Sequence, residues 1–165
     1  MSFKEISPKD LDFNVFKTVS DWGLITAGDK SLFNTMTASW GGAGVMWNRD
    51  VVFAFIRPQR YTFEVLDKSD IFTFSFYAPK YKEALSICGT KSGRDIDKVK
   101  ETGLTPVFSE KGVYFNEADT VFCLKKIHEQ FIVPEGFVDK SIEDNYKAQD
   151  YHKMFIGEIT AVLTK

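Results

Sequence analysis

The alternation of apolar and polar residues along the chain predicts mainly β-strands. In residues 71–77, Phe72, Phe74 and Phe76 fall on one face of an extended strand, because successive side chains point to opposite sides. Weaker patterns predict further strands at residues 14–19, 24–28, 34–40, 51–56, 104–108, 113–115, 120–133 and 151–163. Short helices are expected near residues 62–69, 81–88 and 95–101, with Thr62 and Asp95 as N-caps of the first and third.

The count is about eight strands with two or three short inserted helices, joined mainly by antiparallel hairpins. We therefore expect a mostly β fold, an antiparallel split β-barrel with Greek-key-like connections, because a closed or split barrel protects strand edges. Gly41, Gly42 and Gly44 are expected to form a turn or a close backbone approach. Residues 134–150 are polar and predict an excursion or short helix, and Gly157 predicts a bulge or close contact in the final strand.

Residues 34–40 carry the most unusual pattern. Thr35, Thr37 and Ser39 share one face of the predicted strand, opposite an apolar stripe. Three small hydroxyl groups offer hydrogen-bond donors and acceptors without bulk, so that a flat polar ligand could lie close to the backbone. The commoner explanation is the solvent-exposed face of an antiparallel strand.

A second candidate region follows the strand at residues 51–56. Arg57 and Arg60 precede a predicted helix that begins near Thr62. The N-terminus of a helix presents free N–H groups and a positive dipole end, which suits an anion such as a phosphate. Solvated arginines are the alternative for this region.

Composition narrows the class of protein. The 165 residues predict a single domain spanning residues 1–165, and 16 Phe, 6 Tyr and 3 Trp favour a β-rich core. The formal net charge of −2 gives no basic excess of the kind that nucleic acid or an anionic membrane surface would require. The polar N-terminal stretch is not a secretory signal, and two cysteines are too few for a disulfide framework, so a cytoplasmic location is expected.

Common catalytic constellations are missing from the sequence. The two histidines, His128 and His152, have no closely spaced partners for a metal site, so no metal is expected. Gly42-Ala43-Gly44 begins like a dinucleotide-binding fingerprint, but Trp47 stands where the third glycine would be. There is no Cys-x-x-Cys pair and no Gly-x-Ser-x-Gly elbow.

Four segments together resemble a known family. They are N-T-M-T-A-S-W at 34–40, R-P-Q-R-Y-T at 57–62, S-G-R-D-I-D-K at 92–98 and H-K-M-F-I-G-E-I at 152–159. In this order they resemble the flavin reductase-like proteins, flavoredoxins among them, of the FMN-binding split β-barrel superfamily. Each motif alone is weak; the set is specific for the family and less specific for an activity within it.

The resemblance implies FMN as cofactor and assigns roles to particular residues. The positions that would line the ring and ribityl chain are Thr35, Met36, Thr37, Ala38, Ser39 and Trp40. The positions that would hold the phosphate or approach the flavin are Arg57, Arg60, Thr62, Lys91, Ser92, Gly93, Arg94 and Lys98. Because flavin chemistry belongs to the ring, the protein mainly has to hold, orient and tune it.

Several of these residues have a second interpretation. Arg57 could pair with a carboxylate, and the loop at 91–94 could be a solvated surface loop. His152 would lie at the flavin edge where nicotinamide or an acceptor docks, as the candidate catalytic residue, or it could be structural. Trp40 could stack on the flavin or fill the core. Cys88 is expected to be a buried, inert thiol.

The resemblance implies a homodimer that accepts hydride from NADH or NADPH and passes electrons to free flavin, a ferric complex or a redox partner protein. Two other hypotheses are open. The protein could be a flavoredoxin-type electron carrier with little NAD(P)H turnover of its own, or a split-barrel module that binds another ligand and no flavin.

Overall fold

The computed structural model describes residues 2–165, and in that range the chain forms ten strands and four α-helices. The strands are β1 (Lys4–Ile6), β2 (Gly23–Gly28), β3 (Phe33–Ala38), β4 (Gly41–Met46), β5 (Arg49–Ile56), β6 (Ile71–Phe76), β7 (Pro106–Ser109), β8 (Gly112–Phe115), β9 (Thr120–Phe131) and β10 (Lys153–Thr164). The α-helices are α1 (Val15–Ser20), α2 (Tyr61–Asp67), α3 (Lys82–Thr90) and α4 (Lys98–Thr102). The expected class, mostly antiparallel β with short helices, is confirmed, although both counts exceed the expectation.

One antiparallel sheet organises the molecule. Its strand order is β3-β2-β6-β9-β10-β5-β4, with β1 paired to the far end of β10, while β7 and β8 form a separate hairpin. β10 is the central strand of this arrangement, because it pairs with β9, β5 and β1. The strands from distant parts of the sequence therefore meet around β10.

The sheet is covered on both faces. Phe72, Phe74 and Phe76 of β6 pack into the main hydrophobic core, as their alternation predicts. On the opposite face, the Thr73 hydroxyl donates a hydrogen bond of 2.6 Å to the carbonyl of Val113 in β8. A second apolar cluster lies on this side, where α3 packs with neighbouring elements.

Two stretches differ from the sequence prediction. Residues 14–19, expected to be a strand, form the helix α1, because the Asn14 side chain caps it by accepting a hydrogen bond from the Lys17 amide at 3.1 Å. Gly41, Gly42 and Gly44, expected to form a turn or a close backbone approach, lie in the edge strand β4. The close approach is present at Gly41, where a Cβ atom would lie 2.7 Å from the carbonyl oxygen of Phe53. The turn comes later, at Trp47 and Asn48, whose φ values of 54° and 58° suit a tight hairpin.

Two helices also begin at residues other than those that the sequence predicts. The N-cap of α2 is Arg60 rather than Thr62, which lies inside the helix. The N-cap of α4 is Asp97 rather than Asp95, because the Asp97 side chain accepts the Lys100 amide hydrogen bond at 3.1 Å. Lys98 is consequently the first residue of this helix.

Two further predictions concern the C-terminal part of the chain. Residues 134–150 form an excursion with 3-10 helices at Pro134–Gly136 and Lys140–Tyr146. Gly157 lies at a register shift between β10 and β9, and a Cβ atom there would be 2.7 Å from Leu124 Cβ. The predicted close contact at Gly157 is therefore confirmed.

Within residues 2–165, no helix combines the length and apolar character that crossing a membrane requires.

Candidate functional site

Two of the three hydroxyl groups that share one face of the segment 35–39 form hydrogen bonds within the protein. The Thr35 hydroxyl lies 2.9 Å from the Thr26 hydroxyl and donates to the carbonyl of Ile25 at 3.2 Å. The Thr37 hydroxyl donates to the carbonyl of Leu85 in α3. Ser39, by contrast, is exposed. The solvent-exposed interpretation therefore applies to Ser39 alone, while the two threonine hydroxyls are already bonded within the protein.

The opposite face of β3 is apolar at its centre. Met36 and Ala38 belong to the main hydrophobic core. Trp40, two residues beyond the strand, has 45% of its surface exposed. Of the six positions, 35–40, that the resemblance assigns to the ring and ribityl chain, Ser39 and Trp40 are thus the ones whose side chains are exposed.

Three of the four sequence motifs meet next to the first half of β3. The Asn34 amide donates a hydrogen bond of 2.8 Å to the Thr62 hydroxyl, which is fully buried. Gly93 packs directly on the same amide, since a Cβ atom at this position would lie 2.1 Å from Asn34 Oδ1. Asn34 therefore links the segment 57–62 to the loop at 91–94.

Two cations come together at this junction. Lys98 Nζ donates hydrogen bonds of 2.8 Å to the backbone carbonyls of Thr35 and Cys88. Arg60 Nη2 approaches the same Cys88 carbonyl at 3.5 Å. Within residues 2–165 neither side chain forms a salt bridge. Lys98 is 7% exposed, so this is a buried positive charge that contacts only neutral oxygens.

The surroundings lower the pKa of both groups. Burial, reinforced by the positive charge of Arg60, lowers the pKa of Lys98 from 10.5 to about 8. Burial also lowers the pKa of Arg60, which stays charged at neutral pH. An anion between the two would favour the charged form of each, and hence a site of this kind prefers a ligand with a negative group.

The other cations expected at the site are paired with carboxylates. Arg57 Nη1 lies 2.6 Å from Asp150 Oδ2, which is the second interpretation given for this residue. Arg94 pairs with Glu64, and Lys91 Nζ lies 3.5 Å from Glu101 Oε2. Ser92 accepts a hydrogen bond from the Arg94 amide at 3.1 Å. These pairs leave Arg60 and Lys98 as the uncompensated charges of the predicted set.

A cavity of about 400 Å³ opens beside Lys98. Its walls include Asn34 and Thr35 of β3, Tyr61 at the start of α2, and Gly93. Cavities of this size accommodate small organic ligands. The cavity and the buried cation belong to the same region of the protein, between β3, α2 and α4.

The fourth motif lies at the other end of β3. His152 is buried, its ring centroid is 4.8 Å from that of Trp40, and its Nδ1 lies 2.9 Å from the Tyr146 hydroxyl. Burial, assisted by the nearby Arg57, lowers the pKa of His152 to about 4, so the imidazole is neutral at pH 7. Between Thr35 and Trp40 an extended chain spans about 17 Å, which separates this aromatic end from the cationic end.

One contributor to the site has no signal in the sequence. The Cys88 carbonyl is a backbone group, which no side-chain pattern can mark. The Cys88 thiol itself is buried, and its pKa is raised to about 11 by desolvation, as expected for an inert thiol. His128 is half-buried, with the Trp47 ring 5.8 Å away. In the part of the chain described, no group of three or more His, Cys, Asp or Glu side chains could hold a metal ion.

Comparison with sequence models of protein families identifies the family of this chain. Residues 17–165 match the sequence model of the flavin reductase like domain. The chain belongs to the flavin reductase-like family. Among curated proteins, no sequence matches the chain.

Solved structures agree with this flavin reductase-like assignment. Flavoredoxin of Desulfovibrio vulgaris (Miyazaki F) is 25% identical with a TM-score of 0.68, and the match covers 87% of this chain and 69% of that one. An FMN-binding protein from Thermus thermophilus is 22% identical with a TM-score of 0.67, covering 87% and 69%. The FMN-binding domain of a flavin reductases-like enzyme from Shewanella baltica is 13% identical with a TM-score of 0.72, covering 99% and 77%. The last two likenesses concern the fold alone, and they confirm the expected split barrel.

Proposed function

We propose that this flavin reductase-like protein binds FMN and transfers electrons from NADH or NADPH, through the flavin, to an acceptor. The acceptor would be free flavin, a ferric complex or a redox partner protein. The observation that carries the proposal is the pair of cations Arg60 and Lys98, which approach one carbonyl oxygen and have no carboxylate partner within residues 2–165. Lys98 also lines the cavity.

The residues at this end of the site fit a phosphate group. Burying an ammonium group is unfavourable unless an opposite charge compensates it. The phosphate of FMN would supply that charge to both Lys98 and Arg60. Thr62 and Gly93 would act through Asn34, whose amide they hold and pack against, rather than through direct contact.

The rest of the proposed site follows β3 toward Trp40. The strand offers its backbone groups, the exposed Ser39 and the exposed Trp40 ring along about 17 Å, a span similar to the length of an extended flavin mononucleotide. FMN supplies the capacity to accept a hydride and release electrons. The chain's own residues would bind and orient it, and His152 would lie where a second ligand meets the ring.

A homodimer is the expected form of the protein. Trp40 exposes 45% of its surface in one copy, and the neighbouring edge strand β4 exposes 72% of Val45, with Trp47 exposed by 54% at its turn. Exposed apolar groups next to an unpaired strand edge favour burial by a partner. A second copy of the chain would complete the enclosure around Trp40. A cytoplasmic location remains a prediction.

A second candidate function is that of an FMN electron carrier with little NAD(P)H turnover. The similarity to the flavoredoxin of Desulfovibrio vulgaris, at 25% identity, favours it. The two functions share the FMN site and differ in whether reduced pyridine nucleotide reacts rapidly with the bound flavin. Steady-state oxidation of NADH and NADPH with added FMN separates them, because a carrier would remain yellow with negligible turnover.

The test of the FMN site compares two arginine variants. In Arg60→Ala, loss of a charged hydrogen bond to phosphate should weaken FMN binding by about 1.5–3 kcal/mol, or roughly tenfold to a hundredfold. Arg49→Ala is the matched control, since Arg49 pairs with Glu158 on the surface at 2.8 Å. Fluorescence titration measures both. Equal affinities would remove Arg60 from the site, and no FMN binding by the unaltered protein would favour the module that binds no flavin.

A further inference from the structure

The segment between β9 and β10 carries a tyrosine that contacts His152. Tyr146 is 4% exposed, and its hydroxyl oxygen lies 2.9 Å from His152 Nδ1. We propose that Tyr146 is a positioning residue that holds His152 in the tautomer with hydrogen on Nε2, so that His152 acts as a neutral hydrogen-bond donor to a carbonyl oxygen of the ligand. The hydrogen bond from His152 to a ligand rests on the proposed function, whereas the assignment of the tautomer does not.

The direction of the hydrogen bond follows from the donor and acceptor inventory. A tyrosine hydroxyl has one hydrogen to donate, and burial makes an unused donor unfavourable. In the described part of the chain, the Tyr146 hydroxyl has no hydrogen-bond partner besides His152 Nδ1. The hydroxyl therefore donates, Nδ1 accepts, and the hydrogen of the neutral imidazole is on Nε2.

The tyrosine ring is fixed from several sides. The Arg57 guanidinium lies 5.1 Å from its centroid and donates a hydrogen bond of 2.8 Å to the carbonyl of the preceding residue, Asn145. Phe137 stacks on the ring at 5.9 Å, and Tyr151 lies 4.9 Å away. These contacts leave the hydroxyl directed at His152.

The charged groups around the imidazole do not favour its protonated form. The charged groups that influence His152 are Arg57 and Asp150, and these two form a salt bridge with each other at 2.6 Å. Gln59 occupies the same carboxylate oxygen of Asp150 through a hydrogen bond of 2.5 Å. His152 thus lacks the direct carboxylate partner that would favour an imidazolium. A donor on Nε2 suits a carbonyl oxygen of the second ligand, such as that of a carboxamide or of a free flavin.

Imidazole nitrogen NMR tests the tautomer directly. The chain has two histidines, so a His128→Gln variant assigns both sets of long-range ¹H–¹⁵N signals. At pH 7 we expect the His152 pattern of hydrogen on Nε2. In Tyr146→Phe the preference should be lost and the imidazole pKa should rise, because the lost bond stabilises the neutral form. A wild-type pattern of hydrogen on Nδ1, or an unchanged pattern in Tyr146→Phe, would overturn the proposal.

Tyr151→Phe is the matched control. It removes a hydroxyl from the same aromatic stack, and this hydroxyl, although it belongs to the residue before His152, forms no hydrogen bond with the imidazole in the described structure. Its imidazole signals should therefore equal those of the wild type. A change of the same size in both variants would mean that general loosening of the stack, and not the Tyr146 hydroxyl, sets the tautomer.

Kinetics tests the ligand contact separately. With FMN bound, Tyr146→Phe should lower kcat/KM for the reduced pyridine nucleotide by about three- to tenfold, the value of one hydrogen bond, with FMN affinity unchanged. Unchanged kcat/KM together with a disturbed tautomer would overturn the ligand contact. If the wild-type protein binds FMN but does not oxidise NADH or NADPH, the same comparison uses the rate at which the reduced protein transfers electrons to free flavin.

Discussion

The ammonium group of Lys98 donates a hydrogen bond of 2.8 Å to the backbone carbonyl of Thr35. This bond joins the first residue of α4 to the middle of β3, across 63 positions of sequence. It places a positive charge inside the protein against a neutral strand. The free energy that this burial costs would be recovered when an anion binds, which links the stability of the site to its occupancy.

FMN affinity should fall as the pH rises above about 8. The pKa of Lys98 without ligand is about 8, so the ammonium group that attracts a phosphate is progressively lost above that value. The limiting slope is about a tenfold loss of affinity per pH unit. Fluorescence titrations at several pH values between 6.5 and 9.5 measure it.

Lys98→Met is the control for this pH dependence. It keeps a long apolar side chain and removes the titrating group, so binding should be weaker than wild type at pH 7 and independent of pH through this range. If the variant retained the wild-type slope, another group would be responsible, and Lys98 would have no part in holding the anion.

Gly93→Ala should destabilise the protein and weaken FMN binding together. The new Cβ atom would lie 2.1 Å from Asn34 Oδ1, and relief of this overlap must displace the amide that bonds Thr62. Overpacking of this kind costs about 1–3 kcal/mol. Urea denaturation measures the free energy of unfolding, and a flavin titration measures the binding.

Gly44→Ala is the same substitution at an open position. No atom lies within 4 Å of a Cβ atom at Gly44, on the edge strand β4. We expect a free energy of unfolding and an FMN affinity equal to those of the wild type. Equal losses in both variants would point to glycine flexibility rather than to the packing of Asn34.

The two thiols should be unreactive in the folded protein. Cys88 and Cys123 are both 0% exposed, and burial raises the pKa of each to about 11. Since the thiolate is the reactive form, a thiol-specific chromophoric reagent at pH 8 should label neither cysteine until urea unfolds the chain. Rapid labelling of native Cys88 would show that α3 opens away from β3.

Asn14→Ala should destabilise α1. The lost cap bond to the Lys17 amide is worth about 0.5–2 kcal/mol, and Asn14→Asp should restore it because a carboxylate also accepts from that amide. Circular dichroism during urea denaturation follows both variants. Equal stability of the alanine and aspartate variants would mean that packing, and not the cap, holds α1.

The sequence predicts elements well where a single periodicity is present. β6 was predicted because its three phenylalanines alternate with polar residues, and the structure buries them together. The sequence does not predict β4, because its glycine and alanine residues show no alternation of apolar and polar side chains. α1 was missed because it is six residues long, too short for a helical period to stand out from an extended one.

The sequence predicts which segments form the site, but it does not predict which of the cations are paired with carboxylates. The motifs at 34–40, 57–62 and 92–98 identified strands and loops that do meet in space. However, the carboxylate that pairs with Arg57 is 93 positions away, and the one that pairs with Arg94 is 30 positions away. Such pairings depend on the tertiary fold, so the sequence could not distinguish the paired cations from Arg60 and Lys98.

The central position of β10 has a consequence for the order in which the chain can fold. β5 pairs only with β4 and β10 within the described sheet, so the β4–β5 hairpin has no place in it before residues 153–164 are made. On the ribosome, β2, β3, β6 and β9 can assemble first, while the hairpin waits for some hundred further residues of synthesis. During that interval the apolar residues of the hairpin, such as Val52 and Ala54, have no hydrogen-bonded place in the sheet and can pack only against the part of the main core that is already made.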